Sequence, residues 1–127
     1  LCYCGKKGCL DVYCSAKRLA DTKEGNLEAF FSALKAGEEK SAALWEDYTD
    51  KLAVAVNNLH MILDCDIVLG GYVGSYLESY LDAVWKKIYQ RNTFGESMPF
   101  VRACRYQRGA AALGAGLRVI ESFLETV

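Results

Sequence analysis

Residues 1–15 read LCYCGKKGCLDVYCS, and three of the chain's six cysteines, Cys2, Cys4 and Cys9, stand there as C-x-C-x4-C. Gly5 and Gly8 supply the turns that fold three thiolates onto one point, because glycine accepts backbone angles closed to other residues. A cluster of soft sulfur ligands prefers zinc, which in a closed structural site takes four S or N ligands in a tetrahedron. Three cysteines leave one ligand to find. Disulfides are the competing reading, but no signal peptide precedes the cysteines and the rest of the chain reads as intracellular, so the spacing favours a metal. The fourth position falls to Cys14, to the single histidine, His60, or to a group upstream of Leu1. Cys14 sits on the following helix, and His60 lies in an apolar helical run where a histidine is more often packed than ligating.

Working outward, residues 11–20 read as one short helix with Val12, Ala16 and Leu19 at helical spacing. Asn26 is a good N-cap for a second helix to residue 36, with Leu27, Phe30, Phe31 and Leu34 as its core face and Gly37 ending it. The longest helix covers residues 38–63, where Trp45, Tyr48, Leu52, Ala55, Leu59 and Ile62 repeat at three and four residues. Its second half, AVAVNNLHMIL, is apolar almost all round and is expected to be deeply buried.

Residues 64–74 read DCDIVLGGYVG. A short β-branched run, a glycine turn and a helix opened by the capping box Ser75-x-x-Glu78 follow one another. Strand, glycine turn and helix together are how α/β proteins approach a nucleotide, which makes Gly70, Gly71 and Gly74 candidate nucleotide contacts. The pattern lacks the Lys-Ser/Thr of a phosphate loop, and many such turns only permit tight packing. The helix should bury Leu77, Leu81, Val84 and Ile88 and end near residues 91–92. A loop over residues 92–99, with Gly95 and the only proline, leads to a second parallel strand at 100–104 through a right-handed crossover. A last helix from residue 109 should bury Leu113, Leu117, Ile120 and Leu124, its small residues 109–115 packing close to neighbouring backbone. These patterns alone give a helix-rich α/β domain.

With a net charge of -1 the chain has no basic surplus to hold nucleic acid through phosphates. No apolar run approaches the roughly 20 residues of a membrane-crossing helix. A soluble, cytoplasmic protein is expected, with no membrane partner.

The first fifteen residues resemble the CxCGxxGCxE signature, followed by a small residue and Ser, of the ROK family of repressors, open reading frames and sugar kinases. Asp64-Cys65-Asp66-Ile67-Val68-Leu69-Gly70-Gly71 is similar to that family's DPexIVLGGgv segment, and residues 109–115 to its GAAxLA-type helix. The resemblance covers nearly the whole chain and is strongest to N-acetylglucosamine-repressor-type regulators. It implies the C-terminal lobe of an actin-like, ribonuclease-H-like ATPase and sugar kinase fold, divided into the zinc motif at 1–15, helices at 16–63 and a two-stranded α/β part at 64–127. It also implies that a histidine upstream of Leu1 completes the zinc site, that Asp11 contacts sugar hydroxyls and that the glycine turn lies beside the adenosine of ATP in kinase members. The catalytic aspartate, the first phosphate loop and any DNA-binding domain would lie upstream.

Two departures point to a parent that senses sugar. Asp11 stands where the family has a longer glutamate, and Tyr72 where many kinases keep a third glycine, crowding the approach of a nucleotide. The first expectation is therefore the sugar-sensing and dimerisation lobe of a transcriptional repressor, inactive as a fragment, which meets DNA only through a domain outside these residues. The alternative is the same lobe of an ATP- and Mg2+-dependent kinase such as a glucokinase, and a third reading is a stand-alone zinc-stabilised helical module. The partner in the intact parent is a sugar or sugar phosphate. Homo-oligomerisation is expected, because two short strands leave an edge open and the aromatics cannot all face one small core.

Overall fold

In the computed structural model, which describes residues 1–92 and 99–126, the cysteine loop leads into α1 (Leu10–Cys14) and α2 (Ala16–Ala20). The single helix expected over residues 11–20 is broken at Ser15, whose backbone is extended at φ -81°, ψ 150°. The Tyr48 hydroxyl donates to the Cys14 carbonyl at 2.8 Å, and a continuous helix would have given that acceptor to the Arg18 N–H. Arg18 N–H turns instead to the Ser15 carbonyl at 3.3 Å.

A 3-10 turn at Asp21–Lys23 precedes α3 (Leu27–Lys35). Asn26 caps it as expected, its Oδ1 accepting from Ala29 N–H at 3.0 Å. Gly37 closes it at φ 81°, with Glu38 N–H donating back to the Ala33 carbonyl at 3.0 Å. The long helix α4 (Glu39–Leu63) buries Trp45, Tyr48, Leu52, Ala53, Val56 and His60. Its second half is buried on one side only: Val54, Leu59, Met61, Ile62 and Leu63 are exposed, because the described elements cover a single stripe of it.

Strands β1 (Ile67–Leu69) and β2 (Val101–Ala103) pair in parallel, Ile67 opposite Val101 and Leu69 opposite Ala103. Between them run α5 (Gly71–Leu77), a 3-10 turn at Glu78–Tyr80 and α6 (Leu81–Tyr89). The helix after the glycine turn begins at Gly71 rather than Ser75, and the expected capping box does not form. Ser75 Oγ donates to the Tyr72 carbonyl at 2.8 Å, inside the helix, and caps no N–H. The 3-10 turn then divides what the sequence read as one helix. Most of the loop expected over residues 92–99, Gly95 included, lies outside the described residues.

The core gathers Leu19, Phe30, Val56, Val84, Ile88 and Val101, all fully buried, from α2, α3, α4, α6 and β2. Phe31 joins it to α5, stacking on Tyr76 at 4.0 Å and meeting Trp45 edge-on at 5.3 Å. Helix α7 (Ala110–Leu124) does not share in this core. Leu113, Leu117, Ile120 and Leu124, expected to be buried, are all exposed, Leu124 by 67%. Among the described residues, no neighbouring element comes within 4 Å of where a Cβ would stand on Gly109 or Gly114, so the close packing expected of the small residues 109–115 is absent at these two glycines. An amphipathic stripe says that a helix suits a partner, and none of the described elements supplies one.

Candidate functional site

The loop ahead of α1 is drawn together by backbone bonds as well as by its glycines. Gly5, at φ 78°, donates to the Cys2 carbonyl at 2.9 Å, and Cys2 N–H donates to the Lys6 carbonyl at 2.8 Å. Gly8, at φ 83°, turns the chain so that Cys9 faces back. The ligand atoms of Cys2, Cys4 and Cys9 consequently lie within 4.8 Å of one another, and the Cys4 and Cys9 sulfurs are 3.5 Å apart. Two thiolates on one tetrahedral zinc, with Zn–S about 2.3 Å, stand about 3.8 Å apart. A disulfide would require about 2.05 Å. All six cysteines are free, so the three sulfurs fit a metal and not a cross-link.

Cys2 is buried while Cys4 is exposed and Cys9 half-buried, so the metal would sit at the surface over one anchored ligand. A hydrogen bond from the Lys6 backbone, then one with the Cys9 thiol, hold the Cys4 thiol below the usual range, and the same contact with Cys4 pushes Cys9 up. Neither candidate for a fourth ligand joins them. Cys14 packs against the core, and burial pushes its thiol up. His60 is buried, its Nδ1 2.8 Å from the Cys65 carbonyl and its ring stacked 3.5 Å from Phe100, the packed role the sequence favoured.

Two residues beyond Cys9, Asp11 lines a cleft of ≈ 570 Å³ together with Cys14, Tyr48, Gly70, Gly71 and Tyr72. The glycine turn leaves the carboxyl end of β1, where parallel α/β sheets receive their ligands. Gly71 holds φ 71°, a conformation that favours glycine. Asp11 and Gly70-Gly71, singled out separately in the sequence, thus share one cleft. Gly74 does not line it. A Cβ there would stand 3.0 Å from the Leu69 carbonyl oxygen, so this glycine lets α5 lie against β1. Gly74→Ala is expected to destabilise the fold by about 1–3 kcal/mol through overpacking, and a urea midpoint unchanged from the parent would contradict that role.

The sequence reading passed over Tyr48 and Cys14 as parts of the cleft. Cys14 was within reach of it, since it lies three residues after Asp11 and so on the same helical face. Tyr48 gave no local signal.

A family model described as the ROK family matches residues 1–121. An N-acetylmannosamine kinase of Citrobacter koseri is 28% identical over 123 residues, 92% of this chain and 41% of that kinase. An N-acetyl-D-glucosamine kinase of Pasteurella multocida is 29% identical over 124 residues, 88% of this chain and 40% of that kinase. An N-acetylmannosamine kinase of Escherichia fergusonii is 29% identical over 126 residues, with 92% and 41% covered. The chain spans about two fifths of the length of these curated relatives.

Proposed function

The chain belongs to the ROK family, and from that membership we propose that it is the C-terminal part of an ATP-dependent kinase of N-acetylated hexosamines. Membership also carries the actin-like sugar kinase fold, of which the helices and the small parallel sheet are a part. One observation supports the reading above the others: a carboxylate at the position of a sugar contact and a strand–glycine turn line the same cleft. In this reading Asp11 accepts hydrogen bonds from sugar hydroxyls, and the backbone at Gly70 and Gly71 leaves room for the nucleotide. ATP with Mg2+ supplies the phosphoryl group when bound. Zinc occupies the loop of Cys2, Cys4 and Cys9, completed by a histidine outside these residues, and fixes the start of the helix that carries Asp11.

The sequence placed a repressor lobe ahead of the kinase. The relatives support the reverse order, since those reported are kinases by name. Tyr72, which argued for the repressor by crowding the turn, is 67% exposed, a rim position and not a plug. No described helix is long and apolar enough to cross a membrane.

The test is a coupled assay of ADP release by the intact protein with ATP and a panel of hexoses and N-acetylhexosamines. Turnover of N-acetylmannosamine or N-acetylglucosamine is expected, with none from the 127-residue chain alone. Asp11→Ala should raise the sugar KM roughly 10- to 100-fold, the worth of a hydrogen bond to a charged group, with the ATP KM held. Sugar-released binding to an operator by an intact protein without turnover would overturn the kinase and restore the repressor.

A further inference from the structure

Helix α1 is too short to hold itself in place: it has five residues, and isolated helices of that length do not persist in water. Asp11, the carboxylate of the cleft, is carried on it. The carbonyls of Tyr13 and Cys14 lie at its open end, since Ser15 is extended and α2 starts afresh. Both are taken up by consecutive residues of α4. The Tyr48 hydroxyl donates to the Cys14 carbonyl at 2.8 Å. Arg18 Nη1 donates to the Tyr13 carbonyl at 3.1 Å while its Nη2 donates to Asp47 Oδ2 at 2.6 Å, so Asp47 holds the second carbonyl through a guanidinium. Tyr48 is buried with its ring stacked on Trp45, and burial pushes its phenol far above the usual range, so the hydroxyl keeps its proton and stays a donor.

We propose that Asp47 and Tyr48 clamp the end of α1 and are positioning residues that set the affinity for the sugar through Asp11, an inference that rests on the kinase reading above. A carboxylate on a short, exposed turn binds well only if its carrier is ordered before the ligand arrives, because ordering it on binding subtracts from the affinity. The clamp supplies that order from α4, whose buried Trp45, Leu52 and Ala53 fix it in the core on either side of the pair. Neither Arg18 nor Asp47 lines the cleft, so their half of the clamp reaches the ligand only by way of α1.

The proposal is tested in the intact protein by steady-state kinetics with ATP and either N-acetylmannosamine or N-acetylglucosamine varied in turn. Tyr48→Phe, which keeps the ring and removes only the donor, and Asp47→Ala should each raise the sugar KM about three- to tenfold, the worth of one hydrogen bond, and leave the ATP KM within about twofold. Thr49→Val removes a buried hydroxyl that donates only within α4, to the Trp45 and Glu46 carbonyls, and should leave both KM values near the parent's. In an Asp11→Ala protein, Tyr48→Phe should add less than about twofold to the sugar KM, because residues that act through one another do not add. An unchanged sugar KM in either clamp variant overturns the proposal, and so does a Tyr48→Phe effect that persists in full without Asp11, which would mean that the hydroxyl meets the sugar itself. Hydrogen–deuterium exchange over residues 10–15 separates this from the kinase reading. Faster exchange there in Tyr48→Phe but not in Thr49→Val, in a protein that phosphorylates no sugar, removes the kinase and leaves the clamp standing, whereas exchange no faster than the parent's removes the clamp whatever the activity.

Discussion

Cys9→Ser is expected to strip the intact protein of its zinc, taking the metal content from about one ion per chain to near zero. The loop has little else to hold it: apart from Cys2, its side chains over residues 1–8 are exposed. Two backbone bonds close it, Cys2 N–H to the Lys6 carbonyl and Gly5 N–H to the Cys2 carbonyl. Structural zinc sites in small peptides are worth about 10–16 kcal/mol at neutral pH, so losing one thiolate of three removes a large share of what orders the segment. Because α1 starts at Leu10, directly after Cys9, the sugar contact proposed for Asp11 should be weakened with the metal. Cys65→Ser, at an exposed cysteine outside the loop, should keep its zinc. Metal analysis of the purified proteins decides, and a Cys9→Ser protein with full zinc content would contradict the assignment.

Phe30→Ala is expected to destabilise the fold by about 3–5 kcal/mol, the range for removing a buried aromatic ring. Phe30 is fully buried and meets Phe31 edge-on at 5.4 Å, and Phe31 in turn holds Trp45 and Tyr76. The cavity would open where α3 meets the rest of the core, and close packing leaves its neighbours little room to collapse into it. Domains of this size are stable by only about 5–15 kcal/mol in total, so the variant should show a strongly lowered urea midpoint. A shift worth less than about 1 kcal/mol would mean that the site refills or that α3 contributes little.

The parts of the fold that were legible in the sequence are those fixed by neighbours along the chain. Asn26 with its bond to Ala29, Gly37 with its left-handed backbone, and the parallel strands on either side of a helical crossover all follow from local chemistry. The spacing of Cys2, Cys4 and Cys9 likewise needed only two glycines to become a cluster. The Ser75 capping box failed locally, to a bond with the Tyr72 carbonyl three residues back, but elsewhere the deciding partner came from far away or from no described element. The break at Ser15 depends on a hydroxyl from Tyr48, which no pattern in residues 10–20 announces. The exposed faces of α4 and α7 carry the same apolar periodicity as the buried ones, because periodicity records which side suits a partner and not whether one lies there. The cleft itself was legible only as two separate suggestions, one in the cysteine segment and one at the glycine turn, and folding was needed to bring them together.

That cleft draws its two walls from opposite halves of the chain, Asp11 and Cys14 on one side and Gly70 to Val73 on the other. A small molecule seated between them acts as a removable cross-link. It ties the cysteine-bearing end of the chain to the sheet for as long as it stays, and it releases that tie when it leaves. A ligand that binds only the folded form adds RT ln(1 + [L]/Kd) to stability, about 2.7 kcal/mol at a hundredfold excess over Kd. Occupancy of the cleft thereby stabilises the two distant segments that line it as one folded unit.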